Sequence, residues 1–152
     1  MPHIRETIRT AAAALLTGLA TTGARVYAGR DTAAQPLQPA ELPALVIEVV
    51  DERAQQMGYG ASGAAPVVCE ALLRVTVLAK SAAGAIDTVD DACAEAFAAV
   101  GNNIRFGAAA VTAYVGTEGP EIDASTERAV VRAVLTYTLR YVIAHNDATT
   151  AL

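Results

Sequence analysis

Four sets of residues in this chain of 152 residues have types and spacings that could do chemistry. Gly58, Gly60 and Gly63 match G-x-G-x-x-G, a pattern that cradles phosphate when a helix begins immediately after it. Here Pro66 and a strand-like apolar run follow, so the helix N-terminus that would face a phosphate is missing. Protein kinases use a strand–loop–strand glycine motif, but the chain lacks the accompanying H-R-D and D-F-G elements. Ser62 lies in G-A-S-G-A, one residue short of a nucleophile elbow, which takes a strand in and a helix out. The only histidines, His3 and His145, stand near opposite termini, so a small polar loop residue is the better reading of Ser62. Asp87, Asp90, Asp91 and Glu95 could face a hard cation, yet no neighbouring loop offers further oxygen ligands at a recognisable spacing. A solvated helix face accounts for them, since charged groups are rarely buried unpaired. Cys69 and Cys93 each fall on an apolar face and read as buried free thiols, small hydrophobes rather than a disulfide framework. The expectation is a protein with no catalytic residue, no cofactor and no metal.

The totals agree with that reading. Residues 1–152 suffice for a single domain, which at this size buries roughly 70% of its unfolded surface and needs no staple. Trp is absent and Phe occurs twice, so the core must be built from small and branched side chains. The net charge is −5, and Lys80 is the only lysine among scattered arginines. Nonspecific nucleic-acid binding draws on clustered Lys and Arg, so this balance argues against it. Arg5 and Arg9 before the apolar run 11–20 imitate an export signal, but Glu6, Thr17 and Gly18 interrupt the pattern, and an amphipathic helix explains the same residues. No run reaches the roughly 20 apolar residues that a membrane-spanning helix requires.

Periodicity then places the elements. Ile4, Ile8, Leu15, Leu16 and Leu19 predict a first helix over 3–21, ended by Gly23. A short strand over 24–28 follows, then a connection punctuated by Pro36, Pro39 and Pro43. Alternation predicts strands over 45–50 and 67–79, the second with Val67, Cys69, Ala71, Leu73, Val75 and Val77 on one face. Between them, 52–66 reads as a mobile loop. Ile86, Val89, Cys93, Phe97 and Val100 mark the apolar stripe of a second helix, with acidic residues in its first turns. A strand over 107–116 leads to a turn at Gly119 and Pro120, made acidic by Glu118, Glu121 and Asp123. The last strand spans 126–144, and 145–152 is a frayed tail. The predicted fold is α+β: a mainly antiparallel twisted sheet of four to five strands with two helices packed on one face.

What stands out is physical rather than catalytic. The last strand carries Val130, Val134 and Val142 on the same face as Arg128 and Arg132, and a sheet whose second face is partly apolar invites a partner. Those arginines have Glu70 or Glu127 as candidate ion-pair partners, although exposed pairs of that kind contribute only about 0–1 kcal/mol. Met57 and Tyr59, large side chains in a glycine-rich setting, are candidate interface anchors. Arg30 and Asp31 in the first connection, and the acidic Glu118, Glu121 and Asp123, complete the candidate surface.

The order of parts resembles a known family. An N-terminal amphipathic helix leads to Val26-Tyr27-Ala28-Gly29-Arg30, and a proline-containing link to Glu41-Leu42-Pro43-Ala44-Leu45-Val46-Ile47-Glu48-Val49. This is similar to the start of tailed-bacteriophage tail terminator proteins, the minor tail protein U group, and the likeness continues over most of the chain. The resemblance implies a virion protein that forms a homohexameric ring at the head-proximal end of the tail tube. Such a ring ends tube polymerisation and offers a docking surface to the head-tail connector or neck proteins. It implies assembly in the host cytoplasm, DNA only as passing cargo in the lumen, and no membrane partner. A head-tail adaptor or neck completion protein is the neighbouring alternative. A small cytosolic ligand-binding domain, using the 58–63 loop over a pocket, is the third reading.

Overall fold

The structure is a computed structural model that describes all residues except 1–2, 33, 58–64, 104, 107–108, 125–128, 145–146 and 152; at 147, 148, 150 and 151 it describes the backbone alone. Helix α1 spans Ile4–Leu16 and buries Ile4, Ile8, Ala12 and Leu16, one residue per turn. His3 caps it by accepting the Arg5 backbone N–H. The helix is shorter than the predicted 3–21. The Thr17 hydroxyl donates to the Ala13 carbonyl at 2.7 Å, and Gly18 then takes a φ of +93°. That left-handed step, open to glycine, ends the helix.

Strand β1 (Val26–Ala28) runs parallel to β2 (Ala44–Gln56). Between them a strap over 29–43, with a single 3-10 turn at Pro39–Glu41, returns the chain to the start of β2. Strands β3 (Val67–Lys80), β5 (Ala109–Asp123) and β6 (Val130–Ala144) are long, and β4 (Arg105–Phe106) is short. The order across the sheet is β1-β2-β3-β6-β5-β4, and a seventh strand, β7 (Asp147–Ala151), pairs with the end of β6. The fold is α+β as expected, but the sheet is mixed, through the parallel β1–β2 pair, and larger than four to five antiparallel strands. The tail expected to fray at 145–152 supplies β7. Gln56 closes β2, so 52–56 is strand rather than loop, and Met57 donates its backbone N–H to the Pro66 carbonyl at 3.0 Å.

Both helices pack on one face. Leu45, Ile47 and Val49 of β2, Leu73, Val75 and Val77 of β3, and Leu135 and Leu139 of β6 meet α1 and helix α2 (Ala85–Asn102) in one core. Each fully buried Val, Leu or Ile contributes about 1.5–3 kcal/mol. Strand periodicity foresaw this face on β3 and β6. The stripe expected on α2 is rotated. Ala85, Val89, Ala92, Ala96 and Val100 are buried, Cys93 is half-buried, and Ile86 and Phe97 are exposed. Small alanines let the helix approach the sheet closely, which leaves no room beneath it for a phenylalanine ring. Helix α1 touches both β1 and β4, strands from opposite edges, so the sheet curls around it.

Candidate assembly surface

The Gly119–Pro120 step does not turn the chain back. It lies inside β5, which absorbs it with register shifts at Val111/Ala113, Tyr114/Gly116 and Glu118/Glu121. Each shift is a bulge that bends the strand. Beyond Ala110 the outer edge of β5 has no strand partner among the described residues. Every residue from Thr112 to Ile122 except Gly116 is exposed. Large apolar side chains share that exposure: Tyr114 at 44%, Val115 at 61% and Ile122 at 65%, beside Phe97 at 49% and Ile86 at 52% on α2. Among the described residues, only Met57 joins these five as an exposed large hydrophobe, so the apolar surface is concentrated on the α2–β5 flank. Phe97 meets Tyr114 edge to face at 5.0 Å, and Tyr114 lies 5.4 Å from the buried Tyr137 ring. A strand edge with bulges, Pro120 and glutamates resists indiscriminate strand addition. What it offers is a shaped surface of side chains.

The opposite face of the sheet carries alternating charge. Glu48 stands opposite Arg74, and Glu70 stands opposite both Arg53 and Arg140. Arg132 bonds Glu121 on β5 at 2.5 Å rather than the expected Glu70, and Glu127, the other expected partner, lies outside the described residues. The pair is exposed, so it fixes register more than it stabilises. Arg128 and Tyr59 lie outside the described residues. The strap closes over one end of this face. Arg30 bonds Glu41 at 2.7 Å, stacks 4.9 Å over the Tyr27 ring, and donates to the Gln35 carbonyl. The guanidinium bond, together with the Gln38 backbone N–H, holds the Glu41 carboxyl below its usual range. Arg30 is therefore the clamp of the strap, and Asp31 accepts the Ala34 N–H within it. Beneath the strap is a cavity of about 420 Å³, walled by Leu37, Leu42, Val46, Leu78 and Val130, with Glu48, Asp123 and Arg132 at its polar side.

A third cluster sits where β2 bends. Asp51 has a φ of +53°, and the register slips between Val50 and Arg53. The bulge turns Glu52 towards the helix side, where it accepts the Tyr141 hydroxyl and lies 3.7 Å from Arg5. Tyr141 is buried, so losing its acceptor would leave a buried hydroxyl unsatisfied. Glu52→Ala is expected to cost about 1–3 kcal/mol, and Glu52→Ala/Tyr141→Phe to recover part of it. Urea unfolding of the single and double variants checks this; equal stability of wild type and Glu52→Ala would show that the bond contributes nothing.

Of the candidate interface residues, Met57 is exposed just past the end of β2, and Glu118 and Glu121 are exposed on a strand rather than in the expected turn. Sequence reasoning assigned Ile86 and Phe97 to the core and passed over Val115 and Ile122. Among the described residues no three His, Cys, Asp or Glu side chains converge as a metal site, and no helix is long and apolar enough to cross a membrane. Cys69 and Cys93 are free thiols. No family model matches the chain, and a search of curated proteins finds no match.

Proposed function

We propose that the protein is a structural assembly protein of a bacteriophage tail, of the tail terminator kind. In this reading a ring of copies sits at the head-proximal end of the tail tube, stops its growth and receives the neck. The observation that supports it is the concentration of exposed apolar side chains along the α2–β5 flank, on a strand edge shaped against random pairing. Such a flank is costly to leave in water and is suited to a specific protein partner. The resemblance at 26–30 and 41–49 supplies the kind of assembly. The test is to add the purified protein to polymerising tail tube protein and measure tube lengths by electron microscopy. Arrested tubes with density at one end are expected; unchanged lengths and bare ends would overturn the reading. Capture by a neck protein with no effect on tubes would favour the head-tail adaptor instead.

The cavity under the strap favours a second reading, a ligand-binding domain, because its volume of about 420 Å³ is in the range of small-molecule sites. That reading places the site on the strap, not on the 58–63 loop, which lies outside the described residues. A ligand that binds the folded state raises the melting temperature, so a thermal-shift screen separates the two readings.

A further inference from the structure

We propose that the cavity under the strap is a binding site for a small organic cation, an ammonium or guanidinium carried on an apolar body, with Glu48 as its counter-charge. The inference rests on the ligand-binding reading of that cavity and does not depend on tail assembly. Val46 and Leu78 are buried although neither belongs to the core beneath the helices. They lie on the opposite face of the sheet, at the end that the strap covers. Leu37 and Leu42 of the strap form the roof of the cavity, and Val46, Leu78 and Val130 form its floor. The roof is pinned at both ends. Arg30 at the start of the strap bonds Glu41 near its end, and Arg25 donates to the Pro43 carbonyl at 2.8 Å where the chain enters β2. The apolar space is thus held by fixed bonds of the fold.

Most charges around the cavity are already paired. Arg132 is bound to Glu121, and Glu41 is bound to Arg30. Asp123 is engaged as well. Glu48 is different. It is half-buried, and its carboxylate makes no hydrogen bond or ion pair among the described residues; Arg74, opposite it in register, does not close on it. A carboxylate held beside apolar walls is short of counter-charge, and a cation seated in the cavity supplies it through a charge-assisted hydrogen bond. An anion would be repelled, and a neutral group would strip water from Glu48 without giving it a charge partner. No three His, Cys, Asp or Glu side chains converge here among the described residues, so a bare metal ion finds too few ligands. Apolar walls that take the body of a ligand, with a polar group that fixes its orientation, are the usual makeup of a small-molecule site.

The test uses the full chain and three probes that share an indole body: tryptamine, an ammonium; tryptophol, an alcohol; and indoleacetate, a carboxylate. The chain has no Trp, so the anisotropy of indole emission reports the probe, and backbone amide NMR shifts locate it. Tryptamine is expected to bind about tenfold tighter than tryptophol, a ratio within reach of one hydrogen bond to a charged group. Indoleacetate should bind weakest, and the shifts should centre on Leu37, Leu42, Val46 and Leu78. Glu48→Gln keeps the shape of the side chain, so it is expected to melt as the wild type does and to bind tryptamine no better than tryptophol. Equal binding of all three probes by the wild type would overturn the choice of a cation while the ligand-binding reading stands. Full preference for tryptamine in Glu48→Gln would overturn Glu48 as the counter-charge. Shifts centred elsewhere, or no saturable binding of any probe, would overturn the site itself, and the thermal-shift screen would then decide the ligand-binding reading separately.

Discussion

Gly119→Ala is expected to lower the melting temperature by about 6–12 °C, the shift that roughly 3 kcal/mol produces in a domain of this size. Gly119 has a φ of +91° within β5. A left-handed backbone costs an L-residue about 1–2 kcal/mol. A β-carbon there would also stand 2.6 Å from the Arg132 carbonyl oxygen and 3.1 Å from the Ala133 α-carbon, both backbone atoms of β6. Neither can swing aside as a side chain could. The distal arm of β5 must lift from β6, which breaks the Arg132–Glu121 bond and the pairing of Ile122 with Val131. Differential scanning calorimetry reads the shift. A variant melting within about 1 °C of wild type would show that β5 is not seated on β6 at this point. Because the same arm presents Ile122, the variant should also lose association at temperatures where its core remains folded.

Stability is expected to fall steeply above pH 9. Burial, with the Asp90 charge second, pushes the Cys93 thiol from its ordinary 9.0 up to about 11. Burial, with Tyr114 and Cys93 as smaller causes, pushes Tyr137 from 10.0 up to about 12. Cys69 is raised by burial and by the Glu52 charge. Tyr141 is raised by burial and by its bond to the Glu52 carboxylate. For all four groups the unfolded chain releases its proton at a lower pH than the folded one. Between the unfolded and folded values the native state holds more protons, so stability declines as pH rises. It is fully present below about pH 9 and is lost at about 1.4 kcal/mol per pH unit for each proton so held. The cysteines set the slope first, and the tyrosines steepen it above pH 10. Chemical unfolding followed from pH 7.5 to pH 11 measures this, and Cys93→Ala should flatten the first part of the decline. A flat profile to pH 11 would contradict the burial of these groups.

Much of the sheet was legible because β3 and β6 are buried mainly on one face, Leu78 and Val134 on the other being the exceptions, and single-sided burial imprints alternation on the sequence. Leu73, Val75, Leu135 and Leu139 could be placed from spacing alone. Residues 52–56 were not recognised as strand, because that end of β2 is exposed and polar and its bulge at Asp51 breaks the alternation. Gly119 and Pro120 signalled a turn by their types, whereas bulges keep them within a continuous strand. The rotation of α2 was hidden for a different reason. Alanine adds little to a hydrophobic stripe, so Phe97 and Ile86 drew the stripe towards themselves although Ala92 and Ala96 face the sheet. The strands β4 and β7 are too short or too polar to carry a period. The same misreading hid the candidate surface, because residues strong enough to mark a core were those left outside it.

The most direct test of the assembly account is the mass of the purified protein across concentration, alone and with tail tube protein. The account predicts a closed species near six copies of the 15.6 kDa chain, in solution or on the tube end. A strict monomer that ignores tube protein at every concentration would contradict it.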